Sequence, residues 1–159
     1  MIVKLNYNLE TIIDDDCFEL VSKYHWYADF DKKLGKYYAK TTSRVGGKRM
    51  NLRMHRLIMN AKKWQVVDHV NRDTLDNRTF NLRLCSVRDN TKNRSLNKNN
   101  TSWYKGVVWH TQVKKWQSRL SFHGKWISLW LFDDKIEAAK AYNLAAISHY
   151  WEFAKLNPI

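Results

Sequence analysis

Apolar positions change their spacing several times along this chain, and each change marks an element. Val66-Val67 runs straight into Asp68-His69, as a short strand runs into a site. The residues that follow are rich in Asn and Asp and have no periodic apolar face, so they read as a loop. Leu82 and Leu84 then alternate with Arg83, which predicts a second short strand. Ser86 followed by Asp89 three residues later is a helix-start pattern, and it puts Asn90 about one turn into a helix. The order is strand, Asp-His, loop, strand, helix, Asn.

Upstream, the pattern is shorter and more broken. Lys4-Leu5-Asn6-Tyr7 and Glu10-Thr11-Ile12-Ile13 are candidate strands, and residues 16–24 are a candidate helix with Phe18, Leu20 and Val21 turned inward. Tyr37-Tyr38-Ala39-Lys40 and Met50-Asn51-Leu52-Arg53 read as strands on either side of a turn at Gly46-Gly47. Residues 54–59 form a helical turn with Leu57 and Ile58 inside. Residues 1–53 are therefore a strand-rich region, too small to stand alone, that should pack on residues 54–94. Trp26 reads as a packing anchor and His25 as structural. His55 either supports the site from behind, approaches a phosphate, or is simply packed.

Downstream, residues 91–102 carry three bases, no acid and almost nothing apolar, and residues 95–102 of them read as an exposed, mobile basic linker. Residues 103–159 form a further domain. Lys105 to His110, Trp116 to Phe122 and Trp126 to Phe132 read as three strands, with turns near Gln112 and at His123-Gly124-Lys125. Asp134 with Glu137 predicts a capping box, and an alanine-rich helix runs from there to about Tyr150. Small side chains let that helix lie close on the sheet, while Trp109 and Trp130 are expected in the core. The fold class is α+β.

Composition narrows the partners. The 159 residues carry a net charge of +13, which favours a polyanionic partner without separating DNA from RNA or an anionic membrane. Residues 1–31 hold seven acids, whereas residues 41–64 hold seven bases and no acid, immediately before Asp68-His69. Like charges at that density need solvent or many phosphates around them. No apolar run has the length of a membrane span. Two cysteines, Cys17 and Cys85, are too few for a disulfide framework or a four-cysteine zinc site. The expected setting is cytoplasmic, in a bacterial or phage-infected cell.

The central stretch suggests chemistry. A carboxylate and an amide oxygen are hard ligands for a magnesium-like ion, and a neutral histidine beside them can take a proton from water near pH 7. With Asp68-His69, Leu75-Asp76-Asn77-Arg78, Asn81-Leu82-Arg83 and Asn90 in that order, the chain resembles the HNH endonucleases with a ββα-metal core, in particular the phage and intron-encoded homing type. The resemblance implies His69 as general base and Asp68 and Asn90 as ligands of Mg²⁺ or another divalent cation such as Mn²⁺. Asn93 is an alternative helix ligand. Asn81, with Asn77, would hold the loop, and Arg56, Arg72 and Arg78 would contact phosphates.

The last domain resembles the AP2 (ethylene-response-factor-like) DNA-binding domain. The matching residues are Tyr104-Lys105-Gly106-Val107, Lys115-Trp116, Phe132-Asp133, Glu137-Ala138-Ala139-Lys140-Ala141-Tyr142-Asn143, Ala145-Ala146 and Phe153-Ala154-Lys155-Leu156-Asn157. By position the DNA-reading residues would be Lys105, Val108, His110, Trp116, Arg119, Ser121, Trp126 and Ser128. The family's glycine after the third strand's leucine is Trp130 here. Together these resemblances imply a monomeric, metal-dependent, site-preferring endonuclease acting on double-stranded DNA. The rivals are a non-catalytic DNA-binding regulator with an inactive first half, and an RNA-binding protein.

Overall fold

The computed structural model describes residues 1–45, 47–97 and 99–159, without the side chains of Val45 and Lys48. The Gly46 half of the expected Gly46-Gly47 turn lies outside the described residues. The chain divides into two units, Met1–Val87 and Arg88–Ile159, which mix helices with small antiparallel sheets. Among the described residues no helix is long and apolar enough to cross a membrane.

The first unit opens with β1 (Ile2–Lys4) paired to β2 (Glu10–Ile12). The first strand is shifted towards the N-terminus from its expected place. Tyr7 and Asn8 take left-handed φ of 58° and 56°, and the Asn6 side chain turns away to accept from Ala28 N at 2.6 Å. A 3₁₀ turn (Asp15–Cys17) leads into α1 (Phe18–Val21), which is only one turn long. One turn presents one residue inward, so Val21 is buried while Phe18 and Leu20 are exposed, contrary to the expected inward trio.

Three strands follow as a meander: β3 (Tyr27–Asp31), β4 (Lys36–Val45) and β5 (Lys48–Arg53). The sequence pattern missed β3 and caught less than half of β4. Ile13, Val21, Trp26, Ala39 and Met54 make the core, and Trp26 Nε1 donates to Val21 O at 2.8 Å. Helix α2 (Met54–Ile58) follows β5 directly, so its first turn lies deepest. Met54 and His55 are the buried residues, while Leu57 and Ile58 are only partly covered. The unit ends in a two-stranded sheet, β6 (Val66–His69) against β7 (Leu82–Cys85), with Asp68 opposite Arg83 and His69 opposite Leu82.

A short helix, α3 (Val87–Asn90), crosses the division into the second unit. The segment expected as an exposed linker carries its own hydrogen bonds. Ser102 is buried with Oγ 2.8 Å from Val107 O, Asn100 Nδ2 donates to Tyr104 O, and the Lys105 ammonium reaches the carbonyls of Lys92 and Arg94.

Strands β8 (Val107–His110), β9 (Lys115–Phe122) and β10 (Lys125–Phe132) form one sheet in the order β10-β9-β8, with α4 (Lys135–Tyr150) across it. Ala138, Ala139 and Ala146 are fully buried, and Leu120, Val107, Tyr142 and Tyr150 fill the space between helix and sheet. Asp134 caps the helix by accepting from Ile136 N at 3.0 Å. Glu137 does not complete a capping box, because its carboxylate binds Lys140 at 2.8 Å one turn on. A bulge between Ser128 and Trp130 breaks the β9–β10 register, and Trp130 is 72% exposed rather than in the core. Trp109 is also largely exposed, its ring edge against Trp116. Asn157 closes the unit: it exchanges two hydrogen bonds with the Lys105 backbone and two with the Asn143 side chain.

Candidate active site

The site is built at the end of β6. Alternation along a strand would send Asp68 and His69 to opposite faces, yet both are buried, at 7% and 5% exposure. Asp68 is covered by its cross-strand neighbour: Arg83 Nε and Nη2 donate to Asp68 Oδ2 at 3.0 and 2.7 Å. This pairing was not predicted from the sequence, because register between two short strands is not written in either one. His69 is covered by aromatic groups. The His55 ring lies 5.0 Å from it edge to face, and Tyr38 lies 6.4 Å away. His55 is thus buried beside His69, which fits two of the three readings of it, support from behind and simple packing.

The loop from Val70 to Asn81 is held by its own amides and carboxylates. Asn81 is 2% exposed; its Oδ1 accepts from Asn71 N at 2.9 Å and its Nδ2 donates to Asp76 O at 2.8 Å. Its backbone carbonyl takes Val70 N at 2.8 Å. Asp76 receives Arg78 through two hydrogen bonds of 2.8 Å and Asn71 Nδ2 at 2.9 Å. Arg72 takes a left-handed φ of 67°, and Lys36 Nζ holds its carbonyl. Asn77 is fully buried, with Oδ1 3.2 Å from His69 Nε2.

Strand β2 grips this loop from outside. Ile12 N donates to Leu75 O at 2.9 Å, and Asn77 N donates to Ile12 O at 2.8 Å. Thr11 Oγ1 lies between Leu75 O and Asn77 Nδ2, and Asp14 Oδ2 accepts from both Thr79 N and Thr79 Oγ1. Neither Thr11 nor Asp14 stood out in the sequence, since the residues they hold are more than sixty positions away.

Burial sets the protonation of the histidines. It holds His69 below its ordinary pKa, offset by the Asn77 hydrogen bond and the Asp68 and Asp73 charges. Burial pushes His55 well below, helped by His69, Arg53 and Arg56. Both rings are thus neutral at pH 7, and His69 is able to accept a proton.

The remaining residues singled out from the sequence fall in several places. Arg56 donates to the carbonyls of Gln65 and Lys62 at 2.7 and 2.8 Å, pinning the chain that leads to β6. The Arg78 guanidinium lies 4.5 Å above the Phe80 ring while bound to Asp76. Asn90 is the last residue of α3, in the second unit, and Asn93 is buried just beyond it. In the second unit, Val108, His110, Arg119, Ser121, Trp126 and Ser128 share the sheet face away from α4, by strand alternation and register. Arg119 lies 4.6 Å over the Trp126 ring, and Gln117, which the sequence reading passed over, donates to Ser128 Oγ at 3.1 Å on the same face. Trp116 is on the other face, packed with Val107 and Phe132 against α4. Lys105 lies before β8, its ammonium on the Lys92 and Arg94 carbonyls.

One metal-like cluster occurs among the described residues away from His69. Ligand atoms of Asp14, Asp16 and Cys17 lie within 4.8 Å of one another, with Asp14 already committed to Thr79.

Comparison with known proteins assigns the central segment. Residues 53–92 match the HNH endonuclease family, and they comprise α2, β6, the clamped loop, β7 and α3. An uncharacterized HNH endonuclease of Acanthamoeba polyphaga mimivirus is 29% identical over 146 residues, covering 91% of this chain and 72% of that protein. Protein 3.8 of Escherichia phage T7 is 32% identical over 63 residues, 40% of this chain and 52% of that protein. The chain carries an HNH endonuclease domain and is a nuclease.

Proposed function

We propose that this HNH domain is a metal-dependent, site-preferring DNA endonuclease of the homing type, with the ββα-metal core that the resemblance implies. The observation that carries the reading is the buried His69 next to Asp68, at the start of a loop locked by Asn77 and Asn81. His69 is the general base that takes the proton from the attacking water. By the resemblance Asp68 and Asn90 are the metal ligands, and a carboxylate and an amide oxygen are donors of the type that a divalent cation such as Mg²⁺ or Mn²⁺ takes. When bound, that ion supplies charge stabilisation at the scissile phosphate and leaving oxygen. Asn81 and Asp76 keep the loop backbone fixed, so that His69 does not have to be ordered at the moment of reaction. Arg72, at its left-handed turn, contributes a contact to a neighbouring phosphate.

The second unit supplies affinity and choice of site. We read its three-stranded sheet with one packed helix as an AP2-like unit. Its outward face, bearing His110, Gln117, Arg119, Ser121, Trp126 and Ser128, is a strand surface of the kind the major groove admits. The protein is read as a monomer that works in the cytoplasm of an infected cell, in keeping with the viral and phage origin of its relatives.

One observation favours a second reading, a DNA-binding regulator without cleavage: Arg83 neutralises Asp68 at 2.7 Å. Supercoiled plasmid incubated with the protein in Mg²⁺, in EDTA, and with His69→Ala separates the two. Conversion to open-circle or linear DNA that needs the metal and fails in the variant supports the endonuclease. Salt-sensitive duplex binding without any cleavage supports the regulator.

A further inference from the structure

We propose that Thr11 is a positioning residue for His69: its hydroxyl sets the direction of the Asn77 amide, which keeps the imidazole proton on Nε2 and leaves Nδ1 as the basic atom. The inference rests on His69 being the base. It concerns a residue outside the segment that matches the HNH family.

The argument runs through hydrogen-bond direction. Thr11 is fully buried on β2, and its hydroxyl has one proton to give. Two acceptors are in range, Leu75 O at 2.6 Å and Met54 Sδ at 3.9 Å. A thioether is a weak acceptor, so the proton goes to the carbonyl. Thr11 Oγ1 can then only accept, and Asn77 Nδ2 lies 2.7 Å from it. That commits the amide nitrogen to Thr11 and turns Oδ1 towards His69 Nε2 at 3.2 Å. An amide oxygen never donates, so Nε2 must carry the proton. In the neutral ring the lone pair is then on Nδ1.

The far end of this relay is fixed as well. Leu75 O also accepts Ile12 N at 2.9 Å, so the acceptor of the Thr11 proton is bound to the strand that carries Thr11. Without the hydroxyl, the two ends of the Asn77 amide lose their distinction. A flipped amide would present an N–H to Nε2 and move the imidazole proton to Nδ1. Serine keeps the donor and acceptor at this position; valine keeps only the shape.

The test is the tautomer itself, read by ¹⁵N long-range spectra of the full chain with labelled histidine, near pH 8, where an ordinary imidazole is neutral. His69→Gln identifies the His69 signals. Wild type and Thr11→Ser are expected to show the proton on Nε2 only. Thr11→Val is expected to show a mixture or the opposite tautomer. Its kcat should fall on the order of 100-fold with KM nearly unchanged, at the low end of what general-base catalysis contributes. Should Thr11→Val not fold, Thr11→Ala removes the same hydroxyl without setting a methyl against the amide. The proposal is overturned by a wild-type ring protonated on Nδ1, or by a hydroxyl-free variant that keeps the Nε2 proton. His69→Ala separates the two assignments: cleavage at the wild-type rate in that variant refutes the base, while the tautomer spectra still judge Thr11.

Discussion

Removing the Asn81 side chain should loosen the loop far more than a surface asparagine would. In Asn81→Ala, Asn71 N loses its acceptor at 2.9 Å and Asp76 O loses its donor at 2.8 Å. Asn71 is exposed, so its amide can turn to water and the loss there is about 1 kcal/mol, the net value of an ordinary hydrogen bond. The bond to Asp76 O is buried, so that carbonyl is orphaned at a cost of about 1–3 kcal/mol. The sum is about 2–4 kcal/mol, roughly a 30- to 1000-fold shift in an equilibrium constant. With a urea slope of about 2 kcal/mol/M, the midpoint of the first unit should fall by about 1–2 M. Hydrogen exchange locates the effect. The Asn71 amide should lose its protection, while the Val70 amide, which donates to the Asn81 backbone carbonyl at 2.8 Å, keeps part of its own. Asn81→Asp retains the acceptor and should cost less. A midpoint shift below about 0.3 M with unchanged Asn71 exchange would refute the claim that this side chain holds the loop.

Asp76 gives the first unit an acid limb. Its Arg78 partner, foremost, holds the carboxyl below the usual range, so the stabilisation is complete above the unfolded pKa, about 3.9, and is lost as pH falls through the lower folded value. Asp76→Asn should flatten that limb when the urea midpoint is followed from pH 7 downwards. Gly106 has a φ of +75°, and a Cβ there would run into the Tyr142 ring and the Arg119 carbonyl. Gly106→Ala should therefore cost the second unit about 2–5 kcal/mol, combining overpacking with a left-handed backbone, read as a lower melting temperature. Arg83→Met leaves the Asp68 carboxylate buried without this partner and should destabilise by about 3–5 kcal/mol, checked by urea unfolding. For the proposed reading face, Arg119→Ala should weaken duplex binding by about 1–3 kcal/mol in a salt titration, with relaxed preference at one base position.

Short-range signals carried the second unit well. The turn at His123-Gly124, the alternation in β9 and the alanines of α4 are local facts, and the sheet order needed only hairpins. The tryptophans were harder, because a bulge at Ser128/Trp130 changes which way a side chain points and leaves no mark in composition. In the first unit, β6 and β7 were legible because Val66-Val67 and Leu82-Leu84 flank an obvious loop. β3 was missed: Tyr27-Ala28-Asp29-Phe30-Asp31 alternates, but its acids hid a strand whose carboxylates pair with Lys40 on β4 and Arg53 on β5. At the site, Asp68, His69, Asn77 and Asn81 were visible as residue types in order. The pairing of Arg83 with Asp68 and the part played by Thr11 were not, since one depends on strand register and the other on a contact across 66 positions.

That long contact also has a timetable. Thr11 leaves the ribosome 66 residues ahead of the asparagine it must meet, and Ile12 waits as long for Leu75 and Asn77. At about 5–20 residues per second, strand β2 is in the cell for roughly 3–13 seconds before its partners exist. The loop cannot be clamped, nor the histidine held, until most of the first unit has been made. A nascent chain stalled before residue 77 should therefore leave the Thr11 region open to protease, and one stalled well beyond it should not.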